Sequence, residues 1–257
     1  MALVATYNVN SIRARIDNVI AFLSERQPDI VLCQEIKAQK ENFPYDAFKN
    51  IGYHALIVGQ KSYNGVAVLS KKPCTMVLDS LPGDCDDLQA RYIEVDWCGA
   101  RFASIYLPNG NPVTSDKYVY KLAWMERLKA RFIALLDLEI PLIMGGDYNI
   151  IPCETDCHDP EAWQDDALFL PQSRAAFRSL LNLGFYDALR IHNKAERQYT
   201  FWDYQGGAYP KDMGIRIDHF LLSAQACDRV QKCWIDRQQR GKEKASDHTP
   251  LMLEINL

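Results

Sequence analysis

Apolar and polar positions along this 257-residue chain fall into short blocks, most of them too brief for a helix. Runs rich in Val, Ile, Leu and Tyr occur at LVATYN from Leu3, DIVLCQE from Asp29, YHALIV from Tyr53 and GVAVLS from Gly65. Further runs are RYIEVDW from Arg91, RFASIYL from Arg101, PLIMGGD from Pro141, RIDHFLL from Arg216 and PLMLEIN from Pro250. Their length and residue types predict strands, several apolar at successive positions and so covered on both faces. Gly59 and the turn-like Tyr63-Asn64-Gly65 predict a hairpin between Tyr53 and Ser70. Helical spacing is rarer. It appears after Arg15 and ends before Pro28, and again after Ser115, where Tyr118, Leu122, Met125, Leu128, Phe132 and Leu135 share one stripe. A third helix is predicted from Pro171 to about Leu183, with Gly184 as its stop. Strands outnumber helices and alternate with them irregularly, so two strand-rich halves packed together are expected rather than one doubly wound sheet.

Composition is that of an ordinary globular protein, 48% hydrophobic and 24% charged, which excludes disordered, collagen-like and coiled-coil classes. No apolar run approaches the ~20 residues of a membrane span, and MALVATYNVN lacks the basic and apolar regions of a signal peptide. The eight cysteines follow no disulfide rhythm, which suits reduced thiols and a cytoplasmic location. A net charge of −4 does not advertise a polyanion partner, yet the distribution is uneven. Phe132 to Ser173 contains nine Asp and Glu and no Lys or Arg; Arg190 to Lys244 contains eleven Lys and Arg against seven Asp and Glu. An acidic stretch suits a divalent cation and a basic one a phosphate backbone, although uneven surface charge alone explains as much.

Several predicted strands end in residues that a core would not select. Asn8 and Asn10 close the first, Glu35 and Lys37 the second, Tyr106 and Asn109 bracket the sixth, and Asp147 and Asn149 follow an apolar run. Asp218 lies within RIDHF, and Asp247-His248 precede the last strand. In extended chain, positions i and i+2 face the same way, which would pair Asn8 with Asn10, Glu35 with Lys37, and Asp147 with Asn149. Any one of these could be a turn or capping residue; six segments with the same habit predict a convergent site. Carboxylates, carboxamides and a histidine without cysteine suit a hard cation such as Mg²⁺. His248 and Asp247 are adjacent and would point apart, so the carboxylate that orients His248 is expected to be Asp218.

The motifs TYNVNSIRAR, CQEIK, GQKSYNGVAVLS, IYLPNG, GGDYNI, YTFWDY, GIRIDHFLLS and SDHTPL occur in that order from Thr6 to Leu251. Together they resemble the exonuclease III branch of the endonuclease/exonuclease/phosphatase superfamily. The resemblance implies one domain over residues 1–257, folded as a four-layer α/β sandwich: two mixed β-sheets face to face, flanked by helices. It implies an Mg²⁺-dependent DNA-repair phosphodiesterase, with Mn²⁺ able to stand in, acting as a monomer on double-stranded DNA with abasic sites or blocked 3′ ends. The implied activities are abasic-site endonuclease, 3′-phosphodiesterase, 3′-phosphatase and 3′→5′ exonuclease.

Residue by residue, the resemblance makes Glu35 the principal metal carboxylate, supported by Asn8, Asn10 and Asp247. Asp147 would activate the attacking water or protonate the leaving oxygen, Asn149 would orient that group, and Tyr106 would contact the scissile phosphate. His248 with Asp218 would bind or polarise the phosphate, with Asn109 in support. Lys37, Tyr63, Asn64 and Arg91 resemble positions that meet DNA. Phe201, Trp202, Ile215 and Ile217 correspond to a pocket for a flipped-out abasic sugar, where an apolar wall excludes an intact nucleotide by size. The segment 156–172 matches less sharply and is where substrate preference would be set.

Two other readings are weaker. Cys153, Cys157 and His158 lie close together, but no second ligand pair follows at zinc spacing. A relative acting on phospholipid or inositol phosphate is disfavoured by Lys37, Tyr63-Asn64, Arg91 and Phe201-Trp202, and a catalytically dead DNA-binding module by the joint presence of Glu35, Asp147, Asn149, Asp218 and His248.

Overall fold

In the computed structural model, which describes residues 1–257, the predicted strands assemble into two six-stranded sheets. Numbered along the chain, the first sheet runs β11 (Val230–Ile235), β12 (Leu251–Ile255), β1 (Ala2–Asn8), β2 (Ile30–Gln34), β4 (Val66–Ser70), β3 (His54–Val58). The second runs β5 (Thr75–Leu78), β6 (Tyr92–Trp97), β7 (Ala100–Tyr106), β8 (Leu142–Asp147), β10 (Asp218–Leu222), β9 (Tyr186–Asp187). Both are mixed: β1 pairs parallel with β2 and β7 with β8, while the other neighbours are antiparallel. The hairpin expected around Asn64 is the β3–β4 pair, with Val58 opposite Val66.

Three strands escape the sequence pattern, β5, β9 and β11, and all three are sheet edges. An edge strand is short or open to solvent on one side, so it tolerates Lys, Gln and Thr and loses the continuous apolar signal. VQKCWI in β11 and TMVL in β5 are accordingly largely exposed or half-buried.

Period-two alternation builds the layers. Val4, Ile30, Leu32, Val66 and Val68 point inward from the first sheet and meet Ile93, Val95, Phe102, Ile143 and Phe220 of the second. The intervening residues point outward: Ala5, Tyr7, Val31, Cys33, Ala67 and Leu69 pack on Val19, Phe22 and Leu23 of α1 (Ile16–Arg26) and Phe48 of α2 (Tyr45–Lys49). On the far side, Tyr92, Ala103, Ile105, Leu142 and Met144 pack on α3 (Asp116–Leu136) and α5 (Pro171–Leu181). Helix, sheet, sheet, helix are the four layers expected. The Ser115 hydroxyl caps α3, and Pro171 opens α5 where no N–H is needed. Leu128 of α3 is fully buried, so Leu128→Ala would cost about 2–5 kcal/mol. Short helices α4 (Pro160–Trp163), α6 (Ala188–His192) and α7 (Ala224–Cys227) fill the connections. No helix is long and apolar enough to cross a membrane, and all eight cysteines are free.

Toward one end of the sandwich the layer between the sheets turns polar. The Gln34 amide donates to Ser104 Oγ at 2.9 Å across the gap, and Ser104 donates to the Cys33 carbonyl. Gly145 and Gly146 in β8 allow the close approach there. A Cβ on Gly146 would lie 1.9 Å from the Ile105 carbonyl oxygen, and one on Gly145 2.5 Å from the Phe220 ring.

Candidate active site

Sheet register lines up the polar strand ends. Tyr106 ends β7 opposite Asp147, which ends β8, and Asp147 lies opposite Asp218, the first residue of β10. Asn8 ends β1 opposite Gln34, with Glu35 the next residue. The expectation that i and i+2 share a face holds only to the strand ends. Glu35, Lys37, Asn10 and Asn149 adopt positive φ of 50°, 49°, 43° and 47° and are not extended. They are brought back by side-chain turns instead: the Asn10 N–H donates to Asn8 Oδ1 at 3.0 Å and the Asn149 N–H to Asp147 Oδ1 at 2.9 Å. The pairs predicted therefore meet, by a different geometry.

Glu35, Asp147 and His248 place donor atoms within 4.8 Å of one another. The Asn8 amide nitrogen bridges the two carboxylates, donating to Glu35 Oε1 and Asp147 Oδ2 at 2.9 Å each. Asn8 thus orients the acidic groups rather than offering its oxygen, which Asn10 occupies. Lys37 Nζ lies 2.8 Å from Glu35 Oε2 and donates to Asn10 Oδ1 at 2.6 Å. Asn10 in turn donates to Asp247 Oδ1 at 3.1 Å. Asn10 and Asp247, expected to support the metal, form a hydrogen-bonded pair flanking Glu35, and the Asp147 carboxylate also lies near Glu35. Carboxylate and carboxamide oxygens, with no sulfur, fit a hard divalent cation.

His248 Nδ1 is 2.9 Å from Asp218 Oδ2, as the sequence argument required, and its Nε2 is 3.7 Å from Asp147 Oδ2. All three side chains are buried. Burial opposes charge on His248, but Asp218 and Asp147 outweigh it and raise its pKa well above the ordinary value. Burial, aided by the charges of Asp218 and Glu35, raises the pKa of Asp147, with His248 acting against it. Burial also works against ionisation of Glu35, yet the Lys37 charge and the Asn8 and Lys37 hydrogen bonds hold its pKa below the usual value. The site therefore keeps neighbouring carboxylates in unlike states, an arrangement suited to proton transfer. Burial, reinforced by Glu35 and Asp147, keeps the Tyr106 hydroxyl protonated.

These groups open onto a cavity of about 230 Å³. Tyr106, Asn109, Asn149 and His248 form its polar side, and Trp163, Leu168, Phe201, Ile215 and Ile217 its apolar side. The Phe201 and His248 rings meet edge to face at 5.0 Å. Trp202, expected in this wall, is not there. Phe201 bridges to both Ile215 and His248, and in such extended chain the next side chain points away. Trp202 packs on Tyr199 and Ala208, and its indole N–H bonds Asp212. Its place is taken by Trp163 and Leu168 from the segment 156–172, for which the motifs carried no residue assignment. That segment is anchored by a buried ion cluster: Asp156 accepts from Arg216 at 2.7 and 2.9 Å and from Arg190 at 2.5 Å. At the rim, the Asn111 amide bonds both oxygens of Asp166.

Among the residues expected to meet DNA, Tyr63 is 70% exposed, and the Arg91 guanidinium stacks 4.8 Å over the Tyr106 ring. Asn64 differs. Its side chain is buried in the turn, donating to Gln60 and Gln89 and holding two loops together. Asn109 donates to Asn149 Oδ1 at 3.2 Å, and Asn149 donates to the Leu107 carbonyl. Lys121 of α3 is fully buried beneath them and went unread. Burial lowers its pKa to about 7 against the opposing charges of Asp147 and Asp166. Its position four before Met125 and seven before Leu128, on the apolar stripe, was the available signal.

A family model described as the endonuclease/exonuclease/phosphatase family matches residues 5–248. The chain is 31% identical to exodeoxyribonuclease III of Haemophilus influenzae, covering 97% of this chain and 98% of that protein. Among solved structures, it superposes with a TM-score of 0.96 on an AP endonuclease from Archaeoglobus fulgidus, 37% identical, with 100% of both chains covered. A Neisseria 3′ phosphatase bound to a product DNA hairpin gives 0.97 at 34% identity, again over 100% of both chains. With a family model matched over residues 5–248 and a relative 31% identical over nearly the whole of both chains, the chain belongs to the endonuclease/exonuclease/phosphatase family.

Proposed function

We propose that the chain is a divalent-metal-dependent DNA-repair phosphodiesterase that cuts 5′ of abasic sites and trims 3′ ends. The observation that carries this reading is the Asp147–His248–Asp218 row beside Glu35, opening onto a small cavity with one apolar wall. The apolar wall of Phe201, Ile215 and Ile217 suits a bare sugar, which needs no polar partner for a base. The similarity to an AP endonuclease and to a DNA-bound 3′ phosphatase supports DNA as the substrate class.

Glu35, oriented by Asn8 and flanked by Asn10 and Asp247, would hold Mg²⁺, for which Mn²⁺ could stand in; the bound ion would neutralise charge on a phosphate oxygen. The imidazolium of His248, kept charged by Asp218, meets a second phosphate oxygen, with Tyr106 and Asn109 in reach of the same group. Water attacks phosphorus, and the bond to the 3′ oxygen breaks. Asp147 moves the proton, taking it from the water or delivering it to the leaving 3′ oxygen. Asn149 holds Asp147 through its backbone N–H. Trp163, Leu168, Phe201, Ile215 and Ile217 receive the sugar, while Lys37, Tyr63 and Arg91 meet the backbone.

The relation to the 3′ phosphatase favours a second balance of activities, in which 3′-end processing dominates and abasic-site cleavage is minor. Product analysis on one duplex with an internal abasic site and another with a 3′-phosphate, each with Mg²⁺ and with chelator, separates the two. Cleavage 5′ of the abasic site supports the first reading; processing of the 3′ end alone supports the second. Turnover in excess chelator, or none on either duplex, overturns both.

A further inference from the structure

Lys121 is a fully buried titratable group beneath this site that the reaction as described does not use. Its stem leaves α3 beneath Gly110, where an added Cβ would lie 2.7 Å from Lys121 Cδ. Its Nζ donates to the Asn109 carbonyl at 2.9 Å and the Asn149 carbonyl at 2.7 Å. Neither carbonyl accepts a hydrogen bond from another protein group. The two loops are otherwise joined by the Asn109 and Asn149 carboxamides and by the Leu107 N–H to the Asp147 carbonyl. No carboxylate contacts the amine, so an ion pair does not account for its burial.

We infer that Lys121 is a positioning residue for phosphodiester hydrolysis: it clips the loop after β7 to the loop after β8 from below and so sets where the Asn109 and Asn149 carboxamides meet the substrate. Two N–H donors matched to two carbonyls fix the spacing of the loops at the Asn109 and Asn149 positions, beyond the Leu107–Asp147 backbone bond where the strands end. Loss of the clip lets both carboxamides drift. A displacement near 1 Å at such groups lowers turnover by ~10²-fold while leaving most of the binding surface intact. The inference rests on the phosphodiesterase reading of the site.

The test compares wild type, Lys121→Met, Asn149→Ala and the double variant on the abasic-site duplex, with melting temperatures measured alongside. Met keeps the reach of the stem and removes the donors; if Lys121→Met does not fold, Lys121→Gln is read in the same way. The expected result is a fall in kcat of ~10- to 100-fold with KM changed less than ~3-fold, at a temperature where each variant is fully folded. The double variant should lose less than the product of the single losses, since Lys121 acts through Asn149. Wild-type kcat in the Lys121 variant, strictly multiplicative losses, or a loss explained by the unfolded fraction would overturn the inference. An inactive wild type would instead refute the phosphodiesterase reading itself.

Discussion

His219, beside the Asp218 of the site, makes the stability of this fold depend on pH in a calculable way. Its ring is fully buried between Tyr148 and Phe177, with Nε2 3.1 Å from the Ile150 carbonyl and Nδ1 3.0 Å from Arg216 Nη1. An arginine can only donate, so Nδ1 accepts and the ring is neutral with its proton on Nε2. Burial, and then the Arg216 charge, lower its pKa from 6.5 to about 4. Between these values the unfolded chain binds a proton that the fold does not, so stability rises with pH and is lost as pH falls from 6.5 toward 4. At about 1.4 kcal/mol per pH unit, acidification from pH 7.5 to 4.5 costs roughly 2–3 kcal/mol through this one group, or roughly 5–10 °C in Tm for a chain of this size. Asp147 runs the opposite way: its raised pKa favours the fold at low pH, with that advantage lost as pH rises above the ordinary carboxylate value. The observable is therefore a difference. Denaturant unfolding of wild type and His219→Gln, measured from pH 7.5 to 4.5, should show wild type losing roughly 2–3 kcal/mol relative to the variant. Gln can donate to Ile150 and accept from Arg216 without titrating in this range. A difference constant with pH would refute the buried neutral histidine.

Glu35→Ala should lower turnover steeply and recover part of it at high Mg²⁺, with DNA binding less affected; a titration of activity against Mg²⁺ checks this, and an unchanged metal requirement contradicts it. Asp147→Asn should slow the chemical step by ~10² or more in single-turnover assays while keeping or improving DNA affinity, because a negative charge near the phosphate is gone. His248→Asn and Asp218→Asn should each be severely impaired, and the double variant little worse, because the two side chains share one hydrogen bond; additive losses would separate them. Phe201→Ala should lower abasic-site cleavage while sparing exonuclease action on undamaged ends, whereas a parallel fall of both with the melting temperature would make Phe201 a packing residue only.

The amino-acid sequence by itself determined the central strands, the three long helices and the principal chemical groups of the site. Those features are written in local periodicity and in polar residues at the ends of apolar runs, and both survive any tertiary context. Even the partner of His248 followed from chain geometry, since its neighbour Asp247 had to face elsewhere. Tertiary structure decided what depends on residues distant in the chain. Edge strands β5, β9 and β11 are recruited by neighbours and carry a diluted apolar signal. Asn10, Glu35, Lys37 and Asn149 return to the site through left-handed backbone, which side-chain alternation does not anticipate. Trp202 and Trp163 are both large and apolar; Trp202 packs on Tyr199 and Ala208 away from the cavity, and the segment 156–172, anchored by Asp156 on Arg216, brings Trp163 into it. Lys121 looks like a surface charge until α3 is laid on the sheet, where its buried amine meets two backbone carbonyls. Local pattern records what a residue prefers; only the assembled sheets determine which groups it meets.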